Sequence, residues 1–453
     1  MKLDELKNKK VLILGFGREG NDTFLFLRKL FPDKVLGIAD RSEKIKKPAG
    51  NVKLHLGKNY LNFLKDYDVV IKSPGIPFKI LPKSSLKKIV TQTDVFFDNC
   101  PGQIVGVTGT KGKSTTASLI YQILKQGGVK THLVGNIGKP VLNLLPSPKK
   151  WDEGEDEAKL QRPFSATPKD VYVYELSSHQ LYNLKKSPHI AVLLNIYQEH
   201  LDYYRNFREY VNAKTNITLH QTKDDYLIYN VQDKIVREIA GKAKAKKIPV
   251  KGEYYELDKN AARAVGKIFK IPEKIIEKAI KKFKYLPHRL ELVGTFRRIT
   301  FYNDALATIP EATMAAIETL GKRVQTIMLG GFDRNIDFKN LAKKVLESKI
   351  KTVILFPTTG EKIWKEILKI KKGRGVPDHF YTNRAKRTSF SSSTSPRYSG
   401  AQYMEDAVKL AYQRTKPGKI CLLSTASSSF SIFKNYEEKG NLFKKFVKKY
   451  GKK

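Results

Sequence analysis

Cysteine is almost absent from this chain. Its 453 residues include only Cys100 and Cys421, far apart and without metal-ligand company. That excludes a disulfide framework and argues against a thiolate metal site, so free thiols in a reducing cytoplasm are expected. Long apolar runs are missing too. None approaches the roughly 18–20 residues a membrane span needs, so no membrane insertion is expected. The opening MKLDELKNKKVLILGFG places lysines before a short apolar run, as a signal peptide does. Two glycines in a nucleotide-loop pattern lie in that run and no small-residue cleavage site follows, so a buried strand is the expected structure. Acidic residues are scarce: Asp+Glu number 44 against 85 Lys+Arg, a net charge of +41. Such a balance favours anionic partners such as nucleotides, phosphorylated substrates or nucleic acid. The lysines are spread along the whole chain, however, with no aromatic-interleaved basic motif. A solvated lysine bias is therefore expected, and nucleic-acid binding is not.

Hydrophobic residues at 41% and charged residues at 28% describe a globular chain. Its length calls for two or three domains. Three blocks separate. Short apolar runs at 11–16, 35–40 and 69–73, with a helical stretch Asn21–Phe31 between the first two, are βαβ traffic. A second block opens with a strand at Ile104–Thr108 and a helix at Ser114–Lys125, then strands at Val171–Glu175 and Ala191–Ile196. A third follows Pro287, with strands near Val324–Leu329, Val353–Phe356 and Ile420–Leu423 and helices at Glu311–Leu320 and Phe338–Glu347. All three read α/β. Pro146–Asp170 and Arg384–Gly400 carry no apolar periodicity and are expected to be surface loops.

Gly106-Val-Thr-Gly-Thr-Lys-Gly-Lys-Ser-Thr115 lies between a strand and a helix. There, backbone N–H groups and the helix N-terminus can wrap a phosphate. Gly109, Thr110, Lys111, Gly112, Lys113, Ser114 and Thr115 form this loop, with Lys113 directed to the terminal phosphates and Ser114 to Mg²⁺. Val107 occupies the first glycine's place in the general pattern. The loop predicts nucleotide binding and no particular reaction. A second pattern, Gly15, Gly17 and Gly20 followed by Asp40 at the end of the next strand, has a dinucleotide-fold layout. Its glycines allow either close helix–strand packing or a second nucleotide, such as a nucleotide sugar.

From the loop TGTKGKS onward the sequence resembles the muramyl (Mur) ligase superfamily over essentially its whole length, and within it the D-glutamate-adding ligases. The motifs are YELSSHQL around Glu175, Asn195-Ile-Tyr-Gln-Glu-His-Leu-Asp202, Asn136 in GNIG, and Ser73-Pro-Gly-Ile-Pro77. The C-terminal block adds Pro287-His-Arg289, Asn303-Asp304, Gly330-Gly-Phe-Asp-Arg334 and LSTASSSFSIFKNYEEKG. The resemblance implies three domains: an N-terminal Rossmann-like UDP-binding domain (1–101), a central P-loop ATPase-like domain (102–287) and a C-terminal Rossmann-like domain (288–453). It implies an ATP-dependent carboxylate–amine ligase of peptidoglycan precursor synthesis, using two Mg²⁺ ions held by Ser114, Glu175, His200 and a carbamylated Lys214. Read alone, Lys214 is one lysine among many and His200 a structural histidine. An unmodified ammonium beside two cations is repelled, whereas a carbamate helps neutralise them. Arg289, Asn303 and Asp333 are implied to bind ATP. Gly15, Gly17, Gly20, Asp40, Ser73, Gly75, Asn136 and His200 are implied to bind the UDP-sugar, and Arg334, Lys362, Ser429, Phe430 and Tyr436 the amino acid.

The chain departs from the family's pattern at several places: Glu199 for aspartate, Ala305 for serine, Arg334 for lysine, Thr425 for proline, Ser431 for aspartate and Lys439 for arginine. The implied substrates are UDP-N-acetylmuramoyl-L-alanine, D-glutamate and ATP, and a monomer is expected. The alternatives are another Mur-type or folylpolyglutamate-type ligase, a nucleic-acid-binding ATPase motivated by the charge, and a nicotinamide dehydrogenase motivated by the glycines.

Overall fold

A computed structural model of the chain describes residues 1–135, 141–145, 170–199, 203–252, 255–283, 287–334, 336–370, 377–381, 399–430 and 432–452. It divides into two compact units, Met1–Phe283 and Lys284–Lys453. The first unit contains two sheets and the second unit one.

The first sheet comprises β1 (Val11–Leu14), β2 (Leu36–Asp40), β3 (Val52–Leu56), β4 (Val69–Lys72) and β5 (Ile89–Thr91). All pairs are parallel, in the order β3-β2-β1-β4-β5. Every residue of β1 and β4 is buried, as expected of parallel strands covered on both faces. Helix α1 (Arg18–Leu30) follows β1. The strand order reverses between β1 and β4, so a crevice opens beyond their carboxyl ends, where open α/β sheets take ligands.

Helix α2 (Gln92–Asn99) leads out of this sheet and is held at its start by a Thr91/Asp94 capping box. The second sheet then runs β6 (Gln103–Thr108), β7 (Thr131–Gly135), β8 (Val171–Glu175), β9 (Ile190–Leu193), β10 (Tyr226–Asn230) and β11 (Lys246–Val250). It too is parallel, ordered β11-β10-β9-β6-β8-β7. Helices α3 (Lys113–Gln126), α4 (Ser178–Leu181) and α5 (Phe207–Leu219) belong to it. The two sheets share a core. Phe96 of α2 stands edge-on to Tyr172 and Tyr174 of β8 at 5.4 and 5.6 Å, within one apolar cluster that reaches both sheets.

The second unit contains β12 (Glu291–Phe296), β13 (Ile299–Asn303), β14 (Val324–Gly330), β15 (Thr352–Phe356), β16 (Asp378–Tyr381) and β17 (Ile420–Leu423), ordered β12-β13-β17-β14-β15-β16. Only β12 runs antiparallel. It has a core of its own around Phe301, Met328, Ile354, Phe356 and Phe443. The α/β reading of all three blocks stands.

Two bounds differ from expectation by three residues, for local reasons. The first helix begins at Arg18, three residues early, because extended Gly17 already serves as its N-cap. The strand expected over Ala191–Ile196 leaves the sheet at Leu193, because Asn195 turns to bond the phosphate loop. The two expected surface loops fall outside the described residues except for Asp170, Ser399 and Gly400. Ser399 caps the helix Gly400–Arg414 through a capping box with Gln402. Among the described residues, no helix is long and apolar enough to cross a membrane.

Candidate active site

The phosphate loop leaves β6, the strand flanked by β8 and β9, so the ends of all three strands converge on it. Gly109 has φ +158° and Gly112 φ +87°, conformations that favour glycine, and a Cβ on Gly112 would meet Asp258 Oδ1 at 2.3 Å. The loop is braced from β9. Thr110 N donates to Asn195 O (2.7 Å), Lys111 N to Asn195 Oδ1 (2.8 Å), and Asn195 Nδ2 to Lys111 O (3.1 Å). Thr110 Oγ1 shares a 2.8 Å bond with Tyr210 of α5. Lys113 Nζ donates to Gly109 O (3.0 Å) and Thr110 O (2.9 Å), curled over its own loop. Ser114 and Thr115 are buried in the first turn of α3.

Glu175, the last residue of β8, lies opposite Val107 in the sheet register. It is buried, and its Oε2 has no hydrogen-bond partner among the described residues. A buried carboxylate oxygen in that state is what a hard cation satisfies, so the residue fits a Mg²⁺ ligand. Lys214 of α5 is 1% exposed and donates to Gly109 O (2.8 Å) and Thr108 Oγ1 (3.4 Å). Burial first, and then the neighbouring Lys113, hold its pKa well below the usual lysine range, while Glu199 and Glu175 pull the other way. The amine therefore touches the phosphate loop in surroundings that disfavour its charged form. Lys111 pairs with Glu199 at 3.0 Å. Among the described residues no three His, Cys, Asp or Glu side chains gather. Two expected ligands, His200 and Asn136, lie outside the described residues, as does Ser431.

At the first sheet, Gly15 has φ +88°, and a Cβ on Gly20 would sit 1.9 Å from Gly15 O, so close helix–strand packing accounts for Gly20. Gly17 and Gly75 have open space where a Cβ would stand. Asp40 is tied to backbone: its carboxylate accepts from Phe16 N (2.7 Å) and Ser42 N (2.8 Å). Ser73 Oγ donates to Gly15 O at 2.7 Å, joining the two loops at the crevice. A polar seam that sequence motifs did not disclose runs from here to the second sheet. Gln180 Nε2 donates to Glu19 Oε1 (3.0 Å), while Gln92 and Asn143 each donate to Asp22 (2.7 Å). Burial raises both carboxyls, Asp22 to about 6. The adjacency of Gln180 to Glu175 in YELSSHQL is the signal that could have flagged it.

In the second unit, Ser429 is buried and its Oγ has no hydrogen-bond partner among the described residues, whereas Phe430 is largely exposed. Tyr436, first residue of the helix Tyr436–Gly451, stands edge-on to His288 at 5.9 Å. Asn303 is wholly buried, donating to His288 Nδ1 and to Glu291 Oε2, both at 3.0 Å. Asp304 accepts from Leu290 N (3.0 Å) and Ser424 Oγ (2.8 Å). Asp333 and Lys362 form an ion pair, and Arg334 is exposed. Arg289 pulls down on the pKa of Asp304, which burial raises to about 7. Two departures from the family pattern meet: Lys439, 1% exposed, donates to Thr425 Oγ1 at 2.6 Å. Burial lowers Lys439 to about 7, with Asp304 opposing.

The profile of the Mur ligase middle domain matches residues 107–298. The UDP-N-acetylmuramoylalanine--D-glutamate ligase of Acetivibrio thermocellus is 31% identical, over 98% of this chain and 97% of its own. That of Clostridium acetobutylicum is 31% identical with the same coverage. Among solved structures, MurF ligase from Thermotoga maritima in complex with ADP superposes with TM-score 0.57 at 16% identity, covering 99% of this chain and 97% of its own, a likeness of fold. Full-length identity at this level, on the three-sheet fold and strand-end site just described, makes the chain a member of the UDP-N-acetylmuramoylalanine--D-glutamate ligase family.

Proposed function

We propose that the chain forms the amide between D-glutamate and the L-alanine carboxylate of UDP-N-acetylmuramoyl-L-alanine, converting ATP to ADP and phosphate, a step of peptidoglycan precursor synthesis. The observation that carries this reading is the meeting, around one phosphate loop, of a Glu175 oxygen with no hydrogen-bond partner among the described residues and the buried amine of Lys214. The family generally uses ATP and Mg²⁺. Mg²⁺, held by Ser114, Glu175, His200 and modified Lys214, would supply Lewis-acid neutralisation of the phosphoryl oxygens.

The chain's own residues account for the rest. Lys113 exchanges its two loop carbonyls for the terminal phosphate, and the loop amides hold the β-phosphate. The γ-phosphoryl passes to the alanine carboxylate, giving an acyl phosphate and ADP. The amine of D-glutamate attacks that carbonyl, and the tetrahedral adduct collapses to amide and phosphate. Ser429 Oγ, Tyr436 and Lys362 hold the amino acid, and Gly15, Gly17, Ser73 and Gly75 hold the nucleotide sugar. Lys214, whose charged form burial disfavours, adds as the free amine to CO₂ with loss of one proton and becomes an anionic carbamate.

The test is phosphate release by purified protein given ATP, Mg²⁺, UDP-N-acetylmuramoyl-L-alanine and each amino acid in turn. D-Glutamate should be preferred, and Lys113→Ala should lower turnover about 10²–10³-fold. Lys214→Ala should fall similarly and recover in part with added short carboxylates. Preference for another amino acid, or full turnover in Lys113→Ala, overturns the assignment.

A further inference from the structure

The turn Ser73–Pro77 is held by two donors that come from different domains of the first unit. Lys72, last residue of β4 and 1% exposed, donates from Nζ to Ser73 O (3.0 Å) and Ile76 O (2.8 Å). Its ammonium also lies 4.5 Å over the Phe78 ring. Tyr203, from the segment between β9 and α5, places its hydroxyl 3.0 Å from Pro74 O and 3.1 Å from Ile76 O. Burial raises the Tyr203 phenol, which therefore keeps its proton and stays a donor.

These contacts have a geometric consequence. A trans peptide points its C=O and N–H in opposite directions. Prolines at 74 and 77 remove two amides from the turn, and Ile76 N is taken up by Ser73 O at 3.3 Å. With Pro74 O drawn onto Tyr203, the N–H of the same peptide, that of Gly75, is turned the other way. Gly75 is exposed, and nothing lies within 4 Å of where its Cβ would stand, so the turn is open to solvent at this residue. Ser73, meanwhile, fixes the turn to Gly15.

We infer that Tyr203 and Lys72 are positioning residues for the acceptor nucleotide: together they orient the Pro74–Gly75 peptide so that its amide faces the ligand. The inference rests on the reading of Ser73–Pro77 as part of the acceptor site. It also links two sites. Tyr203 ends the same segment whose Asn195 and Tyr197 bond Thr110 of the phosphate loop (2.7 and 2.9 Å).

The test uses the full chain and Tyr203→Phe, which loses one hydroxyl. Titration calorimetry with UDP-N-acetylmuramoyl-L-alanine in the absence of ATP should show about five- to tenfold weaker binding. KM for the acceptor should rise by the same factor, and KM for D-glutamate should move less than about twofold. Lys72→Met should weaken acceptor binding likewise. Because both donors act on Ile76 O, the double variant should lose less than the product of the single losses. Should Lys72→Met lower the melting temperature, Tyr203→Phe alone decides. Wild-type acceptor affinity in Tyr203→Phe, or equal loss for acceptor and D-glutamate, overturns the clamp. A wild-type chain that binds no acceptor overturns the underlying reading, and the clamp with it.

Discussion

Ser429 and Glu175 each end in a buried oxygen with no hydrogen-bond partner among the described residues. Folded chains hold few such atoms, and a ligand is one way to complete them. Ser429→Ala removes no hydrogen bond to the described residues, so stability should stay within about 0.5 kcal/mol. The KM for D-glutamate should instead rise about tenfold, the effect of a lost bond to a charged group. Urea denaturation and initial rates on the same preparation check this; an unchanged KM denies the hydroxyl a ligand. Lys72 makes a different prediction. Burial lowers its ammonium to about 7, against the pull of Glu19 and Asp94. The unfolded chain keeps that proton up to about 10.4, so between these values it binds more protons than the native state. Stability from this group therefore rises with pH across that window and is flat below it. Denaturation at pH 7 and pH 10 should show wild type gaining on Lys72→Met, and a constant difference between the two would contradict the assignment.

At the scale of elements, β17's exit is tied to the helix Tyr436–Gly451 by a buried hydrogen bond, Lys439 to Thr425. Thr425→Val leaves that amine buried without its acceptor and should cost about 2–3 kcal/mol. Adding Lys439→Met should return part of the loss, a coupling of about 1 kcal/mol or more in a double-mutant cycle. Strict additivity would mean the two side chains do not meet. Neither residue's role was legible from sequence, where each was only a departure from a pattern. What was legible were the strands buried on both faces. Val171–Tyr174, just before Glu175, and Ile420–Leu423 are unbroken runs of apolar and aromatic residues with few alternative readings, and both strands fall as expected. Outer strands escaped notice because they alternate or carry charge. Val52-Lys-Leu-His-Leu56 has one buried residue in five, and Lys246-Lys-Ile-Pro-Val250 begins with two lysines and contains a proline. The phosphate loop was readable because backbone chemistry demands glycine at fixed places. Tyr203, Tyr210 and Gln180 were not, since their roles depend on packing between elements distant in sequence.

The whole molecule is strongly basic, yet the chemistry inferred for it lies with a few buried lysines rather than with the net charge of +41. Lys72, Lys214 and Lys439 are each almost fully enclosed, and burial lowers the pKa of all three. The two compact units have separate cores, so calorimetry should resolve two transitions, and a chain ending at Phe283 should melt cooperatively by itself. One merged transition in the full chain, with a disordered 1–283 fragment, would contradict this. Inside the first unit the division is less clean. Phe96 and Phe97 leave the first sheet's domain to pack on Tyr172 and Tyr174 of the second. A fragment of residues 1–101 would expose those rings and should aggregate. Grafting the first domain of a relative onto this chain is therefore a two-sided operation. The donor must arrive with the face that receives its aromatic residues, or the recipient's β8 must be redesigned to accept them.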